Sequence, residues 1–230
     1  MDGDTYEHNH RRRPNTRQPN GEGRHRVGAG HGNRSTFQSL HGVFLFGALA
    51  GKRKNLKFDA ELLYIGAMFH DMGLVPPYSS KEHRFEVDGA NAARSFLQDY
   101  GIAEYDIEQV WDAIALHTTP GIPQHKKPVV ALVTAGVEMD VLGIDYDEFP
   151  TEDREAVVSA YPRESNFKEG IIEAFTNGIK HKPETTFGNV KADVLALKVP
   201  DYKRVNFCSL ILGSSWNDAC RTVNCPVHGT

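Results

Sequence analysis

His70 and Asp71 stand side by side after an apolar run, Leu62-Leu63-Tyr64-Ile65-Gly66-Ala67-Met68-Phe69, with Gly73 two residues further on. Leu63, Ala67, His70 and Leu74 recur at helical spacing, so the imidazole shares a face with core residues. Burial strips that polar pair of its water and obliges it to find a partner. A divalent metal is one, because neutral imidazole and ionised carboxylate both ligate Zn, Fe or Mn. The plainer reading is a helix C-terminus with a dipole-stabilised histidine and a solvated aspartate.

Three further residues bear on the choice. Asp140 falls on the stripe Val130, Val133, Val137, Asp140, Val141, where a leucine would be expected. A buried carboxylate neutralises or finds a cation. Arginine is the ordinary partner, but no nearby arginine lies on a compatible face, which favours a metal. His117 ends the apolar series Ile107, Val110, Trp111, Ile114 and is its last core-side position; it is read either as a satisfied core histidine or as a ligand or acid–base group. Glu86 heads another helical stretch, and its spacing favours a first-turn dipole partner over a group aimed at the site.

The elements that must position these residues read as helices. Val43–Ala50 is a short buried helix ended by Gly51, and a second starts near Asp59 and carries His70-Asp71. Pro76-Pro77 stops any continuation, and 85–97 is a third helix with Gly101 as its C-cap. The His117 helix breaks at Thr118–Pro123, and Pro128–Leu142 carries Asp140. Thr151 is expected as an N-cap, and Asn166–Ile179 is a strong amphipathic helix. Lys182–Gly188 reads as a polar turn before a helix through Val190, Val194 and Leu197, and Phe207–Leu212 as a last short helix. No alternating strand pattern occurs, so the fold class is all-α.

At 230 residues and net charge −4 the chain suits one domain with its own core. Nothing in the balance asks for a nucleic-acid partner. Residues 1–36 are rich in Arg, Gly and His with hardly an aliphatic side chain, a composition that predicts disorder. Residues 37–215 then form the domain and 216–230 a flexible tail. Three cysteines, all from Cys208 onward, make no disulfide framework and fit a reducing compartment. Cys220, Cys225 and His228 have only loose zinc-like spacing. The start has no charged-then-apolar leader and no run is long enough for a membrane span. A cytoplasmic protein is expected, with self-association left open.

The ordered set of motifs resembles the HD superfamily of metal-dependent phosphohydrolases and, within it, the cyanamide hydratase-like group. It comprises Phe69-His70-Asp71-Met72-Gly73, Arg84-Phe85-Glu86 with Gly89-Ala90, Leu116-His117, Met139-Asp140-Val141-Leu142-Gly143, and Lys182-Pro183 with a threonine pair and Phe187. The resemblance implies a compact helical bundle with one divalent metal, Zn or Fe first and Mn as the alternative, held by a first-helix histidine, His70, Asp71 and Asp140. It makes Glu86 and His117 the acid–base pair. The first-helix position departs from the group: a histidine is expected four residues before Val43, and Ser39 stands there. His41 is no simple substitute, since two residues turn about 200° around a helix.

The chemistry implied is metal-activated water adding to a small nitrile such as cyanamide, with Glu86 moving the proton. A rival substrate is a nucleotide phosphate or phosphoester, for which Lys81 and Arg84 are the obvious cationic binders. A third reading is an inactive scaffold that has lost a ligand at Ser39.

Overall fold

The computed structural model describes residues 34–163 and 165–214, and among them every regular element is helical. The histidines and arginines of residues 1–33 and the Cys220, Cys225, His228 group lie outside the described residues.

Helix α1 (Arg34–Arg53) is longer than its apolar core suggested and runs through Gly51. A Cβ on Gly51 would lie 2.5 Å from the Phe58 ring and 2.9 Å from Leu132, so the glycine is kept for close packing, not for a stop. Helix α2 (Ala60–Phe69) is opened by Asp59, whose carboxylate accepts from the amides of Glu61 at 2.8 Å and Leu62 at 3.2 Å. It delivers His70 as the last helical-like residue, and Asp71 begins a tight turn over Met72–Leu74. Helix α3 (Phe85–Asp99) ends before Gly101, which takes φ +68°, as a C-cap glycine should. Helix α4 (Glu104–Leu116) presents His117 at its C-terminus.

Helix α5 (Pro128–Val137) contains no charged residue, the mark of a helix buried on all sides. It packs against α1, α2 and α4. Its approach to α1 is backbone to backbone: a Cβ on Gly136 would fall 2.1 Å from the carbonyl oxygen of Val43, and one on Gly47 2.6 Å from that of Leu132. The expected continuous helix to Leu142 instead widens into a π-helical turn, Glu138–Leu142, and Asp140 sits on that turn. Such turns re-aim side chains and recur at functional sites.

Helix α6 (Thr151–Ala160) begins one residue earlier than expected, with Pro150 in the cap position and Thr151 already helical. Helix α7 (Phe167–Ile179), helix α8 (Lys191–Lys198) and helix α9 (Phe207–Leu212) complete the described chain. Two expectations fail in this stretch. The turn after α7 is not simply polar surface, because Lys182 and Thr186 are fully buried. On α8 the inward residues are Lys191, Ala192 and Leu195, with Val194 half-buried beside them, while Val190 and Leu197 are exposed. The expected stripe was right at Val194 and wrong at its ends, because a lysine occupies a core position. No helix among the described residues is long and apolar enough to cross a membrane.

Candidate metal centre

Both histidines are held the same way. His70 Nδ1 donates to the carbonyl of Ala67 at 2.7 Å, and His117 Nδ1 donates to that of Ile114 at 2.6 Å. A carbonyl only accepts, so each Nδ1 carries a proton and each ring turns its Nε2 the other way. Nε2 of His70 lies 3.3 Å from Asp71 Oδ2, and Nε2 of His117 lies 3.6 Å from Asp71 Oδ1. The two rings stand edge to face with centroids 5.0 Å apart. Ligand atoms of His70, Asp71 and His117 all lie within 4.8 Å of one another.

The geometry brings acceptor against acceptor. Asp71 Oδ1 and His117 Nε2 are both buried and have no hydrogen-bond partner. Leaving a buried polar atom unsatisfied costs roughly 1–3 kcal/mol, and two such atoms facing each other call for something positive between them. Burial alone would oppose charge on His70, but the Asp71 carboxylate and the Ala67 carbonyl raise its affinity for a proton, with a contribution from Asp140. Burial would likewise raise Asp71, yet the two imidazoles hold it well below the carboxylate range. A divalent metal taking the place of a proton there would find an ionised carboxylate and two Nε2 atoms, a donor combination that suits Zn or Fe(II). The backbone bonds to each Nδ1 are the second layer that orients metal-binding histidines. The residues fit a divalent metal.

Asp140 is placed differently from the sequence argument. It is buried, but its Oδ1 accepts from Arg163 Nη2 at 2.7 Å and its Oδ2 from Ser39 Oγ at 2.8 Å. The premise that no arginine reaches it is overturned: Arg163 arrives from the chain just after α6, 23 positions on, where no helical period could reveal it. Burial raises the Asp140 pKa despite the pull of Arg163, Ser39 and His70, whose field it shares. Ser39 thus does occupy the first-helix position beside Asp140. His41 stacks on Tyr161, with centroids 4.6 Å apart, and is not in the ligand cluster.

Glu86 is fully buried and is no solvated dipole partner. Its Oε1 accepts from Lys191 Nζ, from Thr118 Oγ1 and, at 3.0 Å, from Arg84 Nη2. Its Oε2 is buried without a hydrogen-bond partner. Burial pushes this carboxyl up, but Lys191, His117 and Arg84 bring it down to about 2. Burial also lowers the Lys191 ammonium to about 8, against the raising effect of Glu86. Basic groups gather at the centre: Arg84 and Lys191 reach Glu86, and Arg163 reaches Asp140. Lys81, by contrast, is exposed on the loop before α3. Arg84 and Thr118 line an open cleft of about 650 Å³, whose other wall is formed by residues 187–190, 192–193, 202, 204–205 and 207.

Sequence reading missed Lys191, Thr118 and Arg163. The one signal available was Lys191 at helical spacing from Val194 and Leu195, a charged residue on an apolar stripe like Asp140.

A family model described as HD domain matches residues 39–169, more than half of the chain. No curated protein matches it.

Proposed function

Because the chain belongs to the HD-domain family, we propose that it is a metal-dependent hydrolase or hydratase acting on a small molecule in the cleft beside His117. The observation that carries this reading is the facing pair of buried, unpartnered acceptors, Asp71 Oδ1 and His117 Nε2. A divalent metal bound by His70, Asp71 and His117, with Asp140 within reach of His70's field, would lower the pKa of water from about 15.7 toward about 7 and so supply a nucleophile at neutral pH.

The chain's own groups define the rest. Nδ1 of both imidazoles is committed to backbone carbonyls, so neither ring can tumble during turnover. Glu86, with a pKa of about 2, is ionised at neutral pH and has no proton to give. It is fully buried behind Arg84 and Thr118, which line the cleft, and is suited to hold those two groups in place, which modifies the role of proton shuttle expected from sequence. Arg84 and Thr118 sit where the cleft meets Glu86 and present a donor and a hydroxyl to the substrate.

The sharpest version is addition of water across the C≡N of cyanamide to give urea, in a reducing cytoplasmic setting. The second version, hydrolysis of a phosphoester, is favoured by Arg84 in the cleft lining, which would face a phosphate's charge, while Arg204 there is paired with Asp193. Purified protein loaded with Zn, Fe or Mn and offered cyanamide, then a nucleotide and phosphoester panel, separates the two. A stoichiometric metal that His117→Ala and Asp71→Asn lose, together with turnover of one class, is expected. Absence of any bound transition metal after loading refutes the proposal.

A further inference from the structure

Lys191 comes from α8, beyond residue 169, yet its ammonium is buried against the head of α3 and the end of α4. It bonds Glu86 Oε1 and donates to Thr118 Oγ1 at 3.2 Å, and Thr118 directly follows His117. It also lies 5.3 Å from the centroid of the Phe85 ring, and that ring packs edge-on against His117 with centroids 5.7 Å apart. Phe85 in turn forms a small second core with Ile179 and Leu195. Two separate contacts thus run from Lys191 to His117, one through the Thr118 turn and one through the Phe85 ring.

We propose that Lys191 is a positioning residue of the metal centre, fixing the His117 imidazole through Glu86, Thr118 and Phe85, so that α8 is part of the site. This inference rests on the metal reading given above. The fully buried Glu86 carboxylate needs a counter-charge. Arg84 is partly exposed, so Lys191 supplies the buried one. Without it, the carboxylate keeps Arg84 and the Thr118 hydroxyl, and the turn that carries His117 loses its buried tie to α8.

Lys182 provides the control. It is equally buried, comes from the same part of the chain, and pairs with Asp88 on α3 at 2.8 Å. There its ammonium bonds Asp88, two residues from Glu86. A merely bracing role would make the two lysines equivalent.

The test uses Co²⁺ as a spectroscopic probe on the full chain, comparing the unmodified protein with Lys191→Met, Lys182→Met and Thr118→Val. The unmodified protein and Lys182→Met should bind one equivalent with the same visible absorption bands. Lys191→Met and Thr118→Val should show displaced bands and a Kd weakened about 10- to 100-fold, the range for loss of a group that orients a ligand. Thr118→Val removes the bridging hydroxyl without stripping a charge, so it decides the matter if Lys191→Met does not fold. Bands and Kd unchanged in Thr118→Val and Lys191→Met overturn the inference while leaving the metal reading intact. No Co²⁺ uptake by the unmodified protein sinks the metal reading first.

Discussion

Arg163→Ala should have opposite consequences for the fold and for the metal. Arg163 bonds Asp140 Oδ1 at 2.7 Å, and the arginine side chain is one-third exposed. A charge-assisted hydrogen bond contributes about 1.5–3 kcal/mol when buried. Discounting for the solvent around the guanidinium leaves about 1–2 kcal/mol. In metal-free protein the variant should therefore unfold roughly 2–8 °C lower, given about 2–4 °C per kcal/mol for a chain of this size. The same change releases one oxygen of Asp140, the carboxylate whose charge already reaches His70. If that oxygen then joins His70, Asp71 and His117, a tenfold tighter Kd corresponds to about 1.4 kcal/mol. Saturating metal should return that amount as extra stability. Thermal melts with chelator and with excess Zn²⁺, alongside a Zn²⁺ titration, measure both quantities. An equal loss in both states, with unchanged Kd, would show that Arg163 and the cation do not contest Asp140 and would break the reasoning.

Ser39→His should restore a first-helix ligand beside Asp140 and raise retained transition metal on purification; because Ser39 borders only a very small cavity, the gain should be larger in combination with Arg163→Ala. Gly42→Ala places a Cβ 2.5 Å from Asp140 Oδ1; a loss of about 1–2 kcal/mol is expected after the helix-propensity gain, and a double-mutant cycle with Arg163→Ala should show non-additivity. Glu86 has its folded pKa depressed to about 2 from an ordinary 4.5, so its contribution is fully present above pH 4.5 and is lost as pH falls toward 2. Glu86→Gln should lack that component, so urea unfolding should find its deficit relative to the unmodified protein shrinking by about 2 kcal/mol between pH 6 and pH 3. A deficit that stays constant with pH counts against the buried ion pair.

What could be read in advance followed a simple physical line. Helices with uninterrupted apolar stripes, and His70, His117 and Asp140 as polar residues on those stripes, are local patterns that one pass along the chain detects. The partners of those residues are not local. Nothing near Asp140 announces Arg163, and nothing near Glu86 announces Lys191, because each pair meets only after the chain has folded back on itself. The π-helical turn at Glu138–Leu142 was invisible for a different reason: its apolar residues continue the preceding stripe closely enough to pass for α-helix. On α8 the expected stripe Val190, Val194 and Leu197 left out Lys191, because a lysine is seldom a core residue, and of the three only Val194 packs inward. His117 was open to reading as a ligand or an acid–base group, and its Nε2 faces Asp71.

The two lysine pairs on α3 also bear on how the chain is made. Glu86 and Asp88 meet Lys191 and Lys182 across 105 and 94 positions, so during synthesis the head of α3 leaves the ribosome long before its counter-charges do. Until they emerge, that helix end carries two carboxylates whose burial is unfavourable, and its docking waits for the last quarter of the chain. Ribosome-bound chains arrested before residue 180 should leave the Phe85 region open to proteolysis, and release of the full chain should close it.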